Sequence, residues 1–176
     1  MLQNNSMASN RDLSVLITGT GFSGLCIGIQ LKKMGFHNFK IVEKASALGG
    51  TWRDNHYPGA ACDVKSNLYS FSFEPNPNWT RAYSPQAEIL EYTKHCAQKY
   101  GLEEHIIYNW EVKAAKYDDK SGMWNVTNQE GEKLKANLFV VGNGPLHIPS
   151  LPDIEGIKDF KGEVFHSCNW NHNYDL

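Results

Sequence analysis

The run LSVLITGTGFSGLCIGIQLKKMGFHNFKIVE, residues 13–43, decides the fold. Leu13 to Thr18 is a short apolar stretch of strand type, and Gly19-Thr20-Gly21-Phe22-Ser23-Gly24 is a glycine-rich turn. Leu25, Ile27, Ile29, Leu31 and Met34 continue as a helix that Gly35 stops, since glycine accepts the left-handed conformation in which helices commonly end. Phe39, Ile41 and Val42 form a second strand ending at Glu43. Strand, helix and strand within about 30 residues make one βαβ unit. Strands joined by a helical crossover lie parallel. The expected class is α/β, with a Rossmann-like parallel sheet.

The same run poses a second question, because Leu13 to Leu31 holds no charged residue across 19 positions. Length alone would allow a membrane span or a signal-peptide core. Four glycines (19, 21, 24 and 28), two threonines and two serines interrupt it, and Arg11 and Asp12 precede it in place of a basic leader. It reads as a buried element, without stable membrane insertion and with a cytoplasmic location. Residues 1–11 read as a disordered tail. Of 176 residues, 41% are hydrophobic and 20% charged, which suits a packed core and excludes wholesale disorder. A net charge of -2 lacks the basic footprint of a nucleic-acid binder. Cysteines 26, 62, 96 and 168 show no paired-ligand spacing, so neither a zinc ribbon nor a disulfide framework is expected. His166 with Cys168, or with His172, has no second ligand pair, and no metal site is expected.

Further along, residues 45–83 are expected to be irregular, yet they carry Trp52, Tyr57, Tyr69, Phe71, Phe73, Trp79 and Tyr83. A loop so rich in aromatics is ordered against something. Ser84 and Pro85 read as the N-cap and first residue of a helix whose stripe of Ile89, Cys96, Ala97 and Tyr100 stops at Gly101. Trp110, Val112 and Ala114 alternate, as do Trp124 with Val126, and Leu134, Ala136 and Leu138, with turns at 118–122 and 130–131. That pattern is a three-stranded antiparallel β-meander inserted in the fold. Leu138 to Val141 is continuously apolar, so the chain is expected to leave the meander there and enter a sheet buried on both faces, ending at Gly142-Asn143-Gly144. The expected domain runs over residues 12–150, with a linker over 151–176.

Residues 19–24 fit G-x-G-x-x-G between strand and helix. The first glycine permits the tight turn, the second lets backbone approach a pyrophosphate, and the third lets helix pack on strand. Phosphate oxygens would meet backbone N–H groups at the positive end of the helix dipole. Glu43, 19 residues after Gly24, can accept hydrogen bonds from ribose hydroxyls and repel a 2′-phosphate. At a strand end this carboxylate is expected to be solvated until a ligand binds. The motif and the acid predict a dinucleotide but leave NAD and FAD both open.

The residues that follow resemble a known family. Glu43-Lys44, Leu48-Gly49-Gly50-Thr51-Trp52 and Tyr57-Pro58-Gly59-Ala60-Ala61-Cys62-Asp63 resemble the N-terminal FAD segment of class B flavoprotein monooxygenases, the Baeyer-Villiger monooxygenases above all. Phe160, Gly162, His166 and Trp170 fit that group's fingerprint F-x-G-x-x-x-H-x-x-x-W. Three departures stand out: Ala61 where many members carry Arg, Asn171 where Pro or Asp is expected, and the form of the loop at Gly142 to Gly144.

The resemblance implies FAD at Gly19, Gly21, Phe22, Ser23, Gly24, Glu43, Lys44, Gly50, Thr51, Trp52, Asp63, Tyr69, Val112, Gly142 and Gly144. It implies a catalytic part for Asp63, orienting an arginine beside the flavin, and a domain-coupling part for Phe160, Gly162, His166 and Trp170. Cys62 and Cys168 have no base or helix N-terminus in view to activate a thiol. The chemistry implied is that NADPH reduces FAD, O2 adds to give a C4a-peroxyflavin, and a ketone becomes an ester or lactone; a sulfide could be oxygenated too. Members of the family are about three times longer and add an NADP-binding glycine-rich unit, whereas a domain of this size holds only one such unit. Two other readings stand beside this one, an N- or S-oxygenating flavin monooxygenase and a non-catalytic FAD-binding module.

Overall fold

A computed structural model of the chain describes residues 13–146 and 148–175. The expected tail at residues 1–11 lies outside the described residues. Strand β1 (Val15–Thr18) leads through the glycine turn into α1 (Phe22–Lys33), and β2 (Phe39–Val42) follows. β1 and β2 pair in parallel from Val15 opposite Phe39 to Thr18 opposite Val42. Helix α1 ends as its sequence requires. Gly35 takes φ 75°, its N–H bonds to Lys32 O at 2.9 Å, and Phe36 N–H bonds to Leu31 O at 2.9 Å.

The expected irregular stretch 45–83 contains one short helix, α2 (Thr51–Asp54), and a 3-10 turn at Ser66–Leu68. Its aromatics are ordered, with Phe71, Phe73 and Trp79 packing on the core of the helical layer. Helix α3 (Gln86–Lys99) begins one residue later than expected, with Pro85 at the N-cap position. Ser84 does not cap it. Its carbonyl accepts from Cys62 N–H at 2.9 Å, and its hydroxyl is buried 2.6 Å from that of Ser66. The residue before a proline avoids helical geometry, and this one is committed to the loop instead.

Strand β3 (Ile106–Ile107) pairs in parallel with β2, a contact too short to leave an alternating pattern in the sequence. The meander is present as β4 (Val112–Asp118), β5 (Met123–Asn128) and β6 (Lys133–Ala136), antiparallel throughout and bulged between Val112 and Ala114. After Asn137 the chain enters the parallel sheet as β7 (Leu138–Val141), paired with β1. The sheet order is β3-β2-β1-β7. β7 is not buried on both faces, contrary to expectation. It lies at an edge, where Leu138 is 53% and Val141 65% exposed, and only Phe139 and Val140 pack inward.

The period-2 geometry of β1 divides the core. Val15 and Ile17 join Leu25 and Ile29 of α1 and Tyr92, Cys96 and Ala97 of α3, while Leu16 joins Val42, Trp110, Val126 and Ala136 beneath the meander. Helices therefore cover one face of the parallel sheet and the meander covers the other.

Candidate functional site

Parallel sheets bind ligands at the carboxyl ends of their strands, where the strand order reverses. In this sheet the reversal falls at β1, between β2 and β7. The residues that follow those three strands, Gly19, Glu43 and Gly142, line one cavity of about 970 Å3. Its remaining wall comes from the loop 49–63, Tyr69, and the stretch 110–112 that leads into β4. The volume is at the upper end of the range usual for small-molecule and cofactor sites.

The glycine turn is built by close approach. Gly19 has φ 92°, and a Cβ there would stand 2.7 Å from Gly142 O. A Cβ on Gly24 would stand 1.8 Å from Gly19 O, so only glycine lets α1 start this close to β1. Gly21 differs, because a Cβ there would meet only Gly50 Cα at 3.9 Å, on the cavity side. Among the described residues no side chain caps the N-terminus of α1, and its first turn holds no acid. Its N–H dipoles therefore face the cavity without a built-in anion.

Every residue expected at the cofactor lines this cavity except Gly24, which is buried behind the turn where α1 packs on β1. Asp63 is exposed at the rim. Trp52 Nε1 donates to Tyr69 Oη at 3.0 Å with the rings edge-on, and Phe22 meets the Tyr69 ring at 5.1 Å. Burial pushes the Tyr69 phenol above its ordinary pKa, which keeps this hydroxyl protonated.

Glu43 departs from expectation. It is 3% exposed and not solvated, because α2 and the turn after β1 close over the end of β2. Its Oε2 accepts from Thr20 N–H at 3.0 Å and Thr20 Oγ1 at 2.6 Å, and its Oε1 accepts from Ala45 N–H at 3.0 Å. Arg53 Nη1 completes the set with an ion pair to Oε1 at 3.0 Å. The sequence reading passed over Arg53. Burial alone would lower the pKa of its guanidinium, but the hydrogen bond to Asp54 and the charges of Glu43 and Asp54 outweigh burial and hold it above the usual arginine value. Trp110, Phe139 and Asn143 also line the cavity without having been foreseen, since neither spacing nor motif marks them.

The fingerprint residues lie on the terminal segment. Phe160 is exposed, and Gly162 leaves room for its ring, which a Cβ would meet at 2.5 Å. Among the described residues His166 bonds only within its own turn, accepting from Cys168 N–H at 3.2 Å with Cys168 Sγ 3.1 Å away. A base therefore does stand beside Cys168, contrary to expectation, because the 3-10 turn at Ser167–Asn169 folds residue 168 back onto residue 166. Contact with the cavity loop is made by the fingerprint's Trp170 and by His172. Trp170 packs on Tyr57 at 6.3 Å, and His172 Nε2 lies 2.7 Å from His56 Nδ1.

A family profile described as flavin-binding monooxygenase-like matches residues 12–175. A Baeyer-Villiger monooxygenase of Pseudomonas aeruginosa is 46% identical over 169 residues, covering 96% of this chain and 32% of its own. The solved structure of OTEMO in complex with FAD and NADP superposes with a TM-score of 0.82 at 30% identity, over 92% of this chain and 31% of that one. Cyclohexanone monooxygenase from Rhodococcus sp. Phi1, bound to NADP+, gives a TM-score of 0.83 at 32% identity, over 93% and 32%. The resemblance to Baeyer-Villiger enzymes thus extends through both sequence and fold. The chain spans about a third of the length of the curated relatives it matches.

Proposed function

Because the chain belongs to the flavin-binding monooxygenase-like family, we propose that its cavity holds FAD and that it forms the FAD-binding part of an NADPH- and O2-dependent monooxygenase that turns ketones into esters or lactones. One observation supports this above the rest: the Gly19 to Gly24 turn, the uncapped N-terminus of α1, Gly50 and the Gly142 to Gly144 loop converge on a single cavity. Those groups fit a pyrophosphate. A Cβ on Gly21 would have faced that space, and no carboxylate stands in the first turn of α1 to repel an anion. The Glu43 end of the cavity fits the adenosine ribose, and the Trp52–Tyr69 pair gives the flavin half an aromatic wall.

When bound, FAD supplies electron transfer from NADPH and activation of O2. The chain's own residues bind, orient and exclude water. Trp52, Tyr69 and Phe22 form an aromatic wall. In this reading Asp63, at the rim, orients an arginine contributed from outside this segment. Trp170 and its neighbours hold the terminal segment against the cavity loop and so couple the segment to the site.

Ketones are the proposed substrates, with sulfides oxygenated as well. The location read for the protein is cytoplasmic, which suits four free cysteines. No helix among the described residues is long and apolar enough to cross a membrane. The overall conversion consumes ketone, O2, NADPH and a proton, and releases ester, NADP+ and water. The test supplies a FAD-loaded protein carrying this segment with NADPH, O2 and a cyclic ketone. Lactone formed in step with NADPH consumed is the expected result. Oxygenation of amines or sulfides with no lactone would favour the N- or S-oxygenating reading, and FAD binding without NADPH consumption would favour the non-catalytic module.

A further inference from the structure

The ribose end of the cavity contains an arginine whose side chain is spent on protein partners. Glu43 takes four donors: the Thr20 amide, the Thr20 hydroxyl, the Ala45 amide and Arg53. Both carboxylate oxygens are thus held by the protein while the residue lines the cavity. Two of these donors are main-chain amides of adjoining turns and one is a short hydroxyl. Only Arg53 is an ion, and it arrives from a separate element, α2.

The guanidinium is in turn held in place. Nε and Nη2 donate to the two carboxylate oxygens of Asp54 at 2.9 and 3.1 Å, and Nη1 donates to Ala47 O at 2.6 Å. A planar fork clamped on one carboxylate leaves little freedom at the end that meets the other. Arg53 also sits under Gly49, where an added Cβ would come 3.1 Å from Arg53 Cβ. The side chain thus ties the Gly49-Gly50 corner to the end of β2 and, through Thr20, to the glycine turn.

We propose that Arg53 is a positioning residue for the dinucleotide. It fixes the Glu43 carboxylate and offsets its charge, so that the adenosine ribose meets a set Arg53–Glu43 pair and not a lone, mobile carboxylate. This deepens the FAD reading and rests on it. An arginine that only stabilised the fold would affect melting and cofactor affinity in parallel. A positioning arginine acts through Glu43, so its effect on affinity fades once that carboxylate is gone.

The experiment titrates FAD into the parent chain, Arg53→Met, Arg53→Lys, Glu43→Gln and the Arg53→Met/Glu43→Gln pair, with circular dichroism and a melt of each apo protein. Arg53→Met should weaken FAD binding about 10- to 100-fold, the span expected for losing a hydrogen-bonded charge. Arg53→Lys should recover part of that loss, and in the Glu43→Gln background Arg53→Met should cost less than about threefold. An Arg53→Met variant that binds FAD within about twofold of the parent overturns the proposal, as does an undiminished loss in the Glu43→Gln background. Should Arg53→Met fail to fold, Arg53→Lys decides. Weaker binding at an unchanged melting temperature supports the proposal, and unchanged binding overturns it. A parent chain that does not bind FAD overturns both this proposal and the reading beneath it.

Discussion

Glu43 carries its charge to a place where almost none of its surface meets water, and a buried carboxylate persists only when its oxygens are occupied. Removing that charge leaves Arg53 with Asp54 and its Nη1 with Ala47 O, but takes away the ionic partner of Nη1. Glu43→Gln should therefore lower the stability of the apo chain by about 2 kcal/mol, or roughly 4–8 °C in melting temperature, as well as weaken FAD binding. Differential scanning calorimetry of the apo protein checks this, and an unchanged melt would mean that the ion pair contributes nothing to the fold. Here the sequence reading identified the residue but not its surroundings. Glu43 was legible because a strand end, a glycine turn and a spacing of 19 residues converge on it. Its burial was not, because the group that covers it comes from Arg53, ten residues further on in a stretch without periodicity.

Two elements meet at the glycine turn, and their glycines should respond to substitution in opposite ways. Gly24→Ala puts a Cβ 1.8 Å from a main-chain oxygen that cannot retreat, so α1 must part from β1. A cost above about 3 kcal/mol is expected, seen as loss of the cooperative melt. Gly21→Ala meets nothing nearer than 3.9 Å and should melt like the parent while binding FAD less tightly, since its methyl stands on the cavity side. Equal melts for the two variants would contradict the packing described.

Helix α3 carries an acid-sensitive contact. The hydrogen bond from Lys99, followed by that from Tyr100, holds the Glu74 carboxyl below its ordinary pKa. The folded chain then takes up this proton less readily than the unfolded one. The contribution is present above the unfolded value, about 4.3, and is lost as pH falls through the lower folded value. Urea midpoints should drop over that range, and Glu74→Gln should flatten the drop. Because Lys99 is half exposed, salt should shrink the effect. A drop as steep in Glu74→Gln as in the parent would assign the acid sensitivity to other groups. At this scale periodicity carried far: α1, β1, β2, α3 and the meander were all legible from apolar spacing and glycine stops. Strand β3 and helix α2 were too short to show a period, and Ser84 looked like a cap because its pairing with Cys62 and Ser66 is non-local.

At the scale of the molecule, the three strand ends and the 49–63 loop enclose one site, and the terminal segment rests on that loop through aromatic and imidazole contacts. Trp170→Ala should leave the melt of the core unchanged while raising the rate of proteolytic cleavage within residues 150–165, as followed by mass spectrometry. Equal cleavage rates would show that Trp170 does not hold the segment. The central claim is that the cavity is a FAD site, and equilibrium titration of FAD into this chain, read by flavin fluorescence, tests it most directly. Saturable one-to-one binding is the predicted result, with a melting temperature that rises about 5–10 °C at a hundredfold excess over Kd. A titration that never saturates, with an unmoved melting temperature, would contradict it.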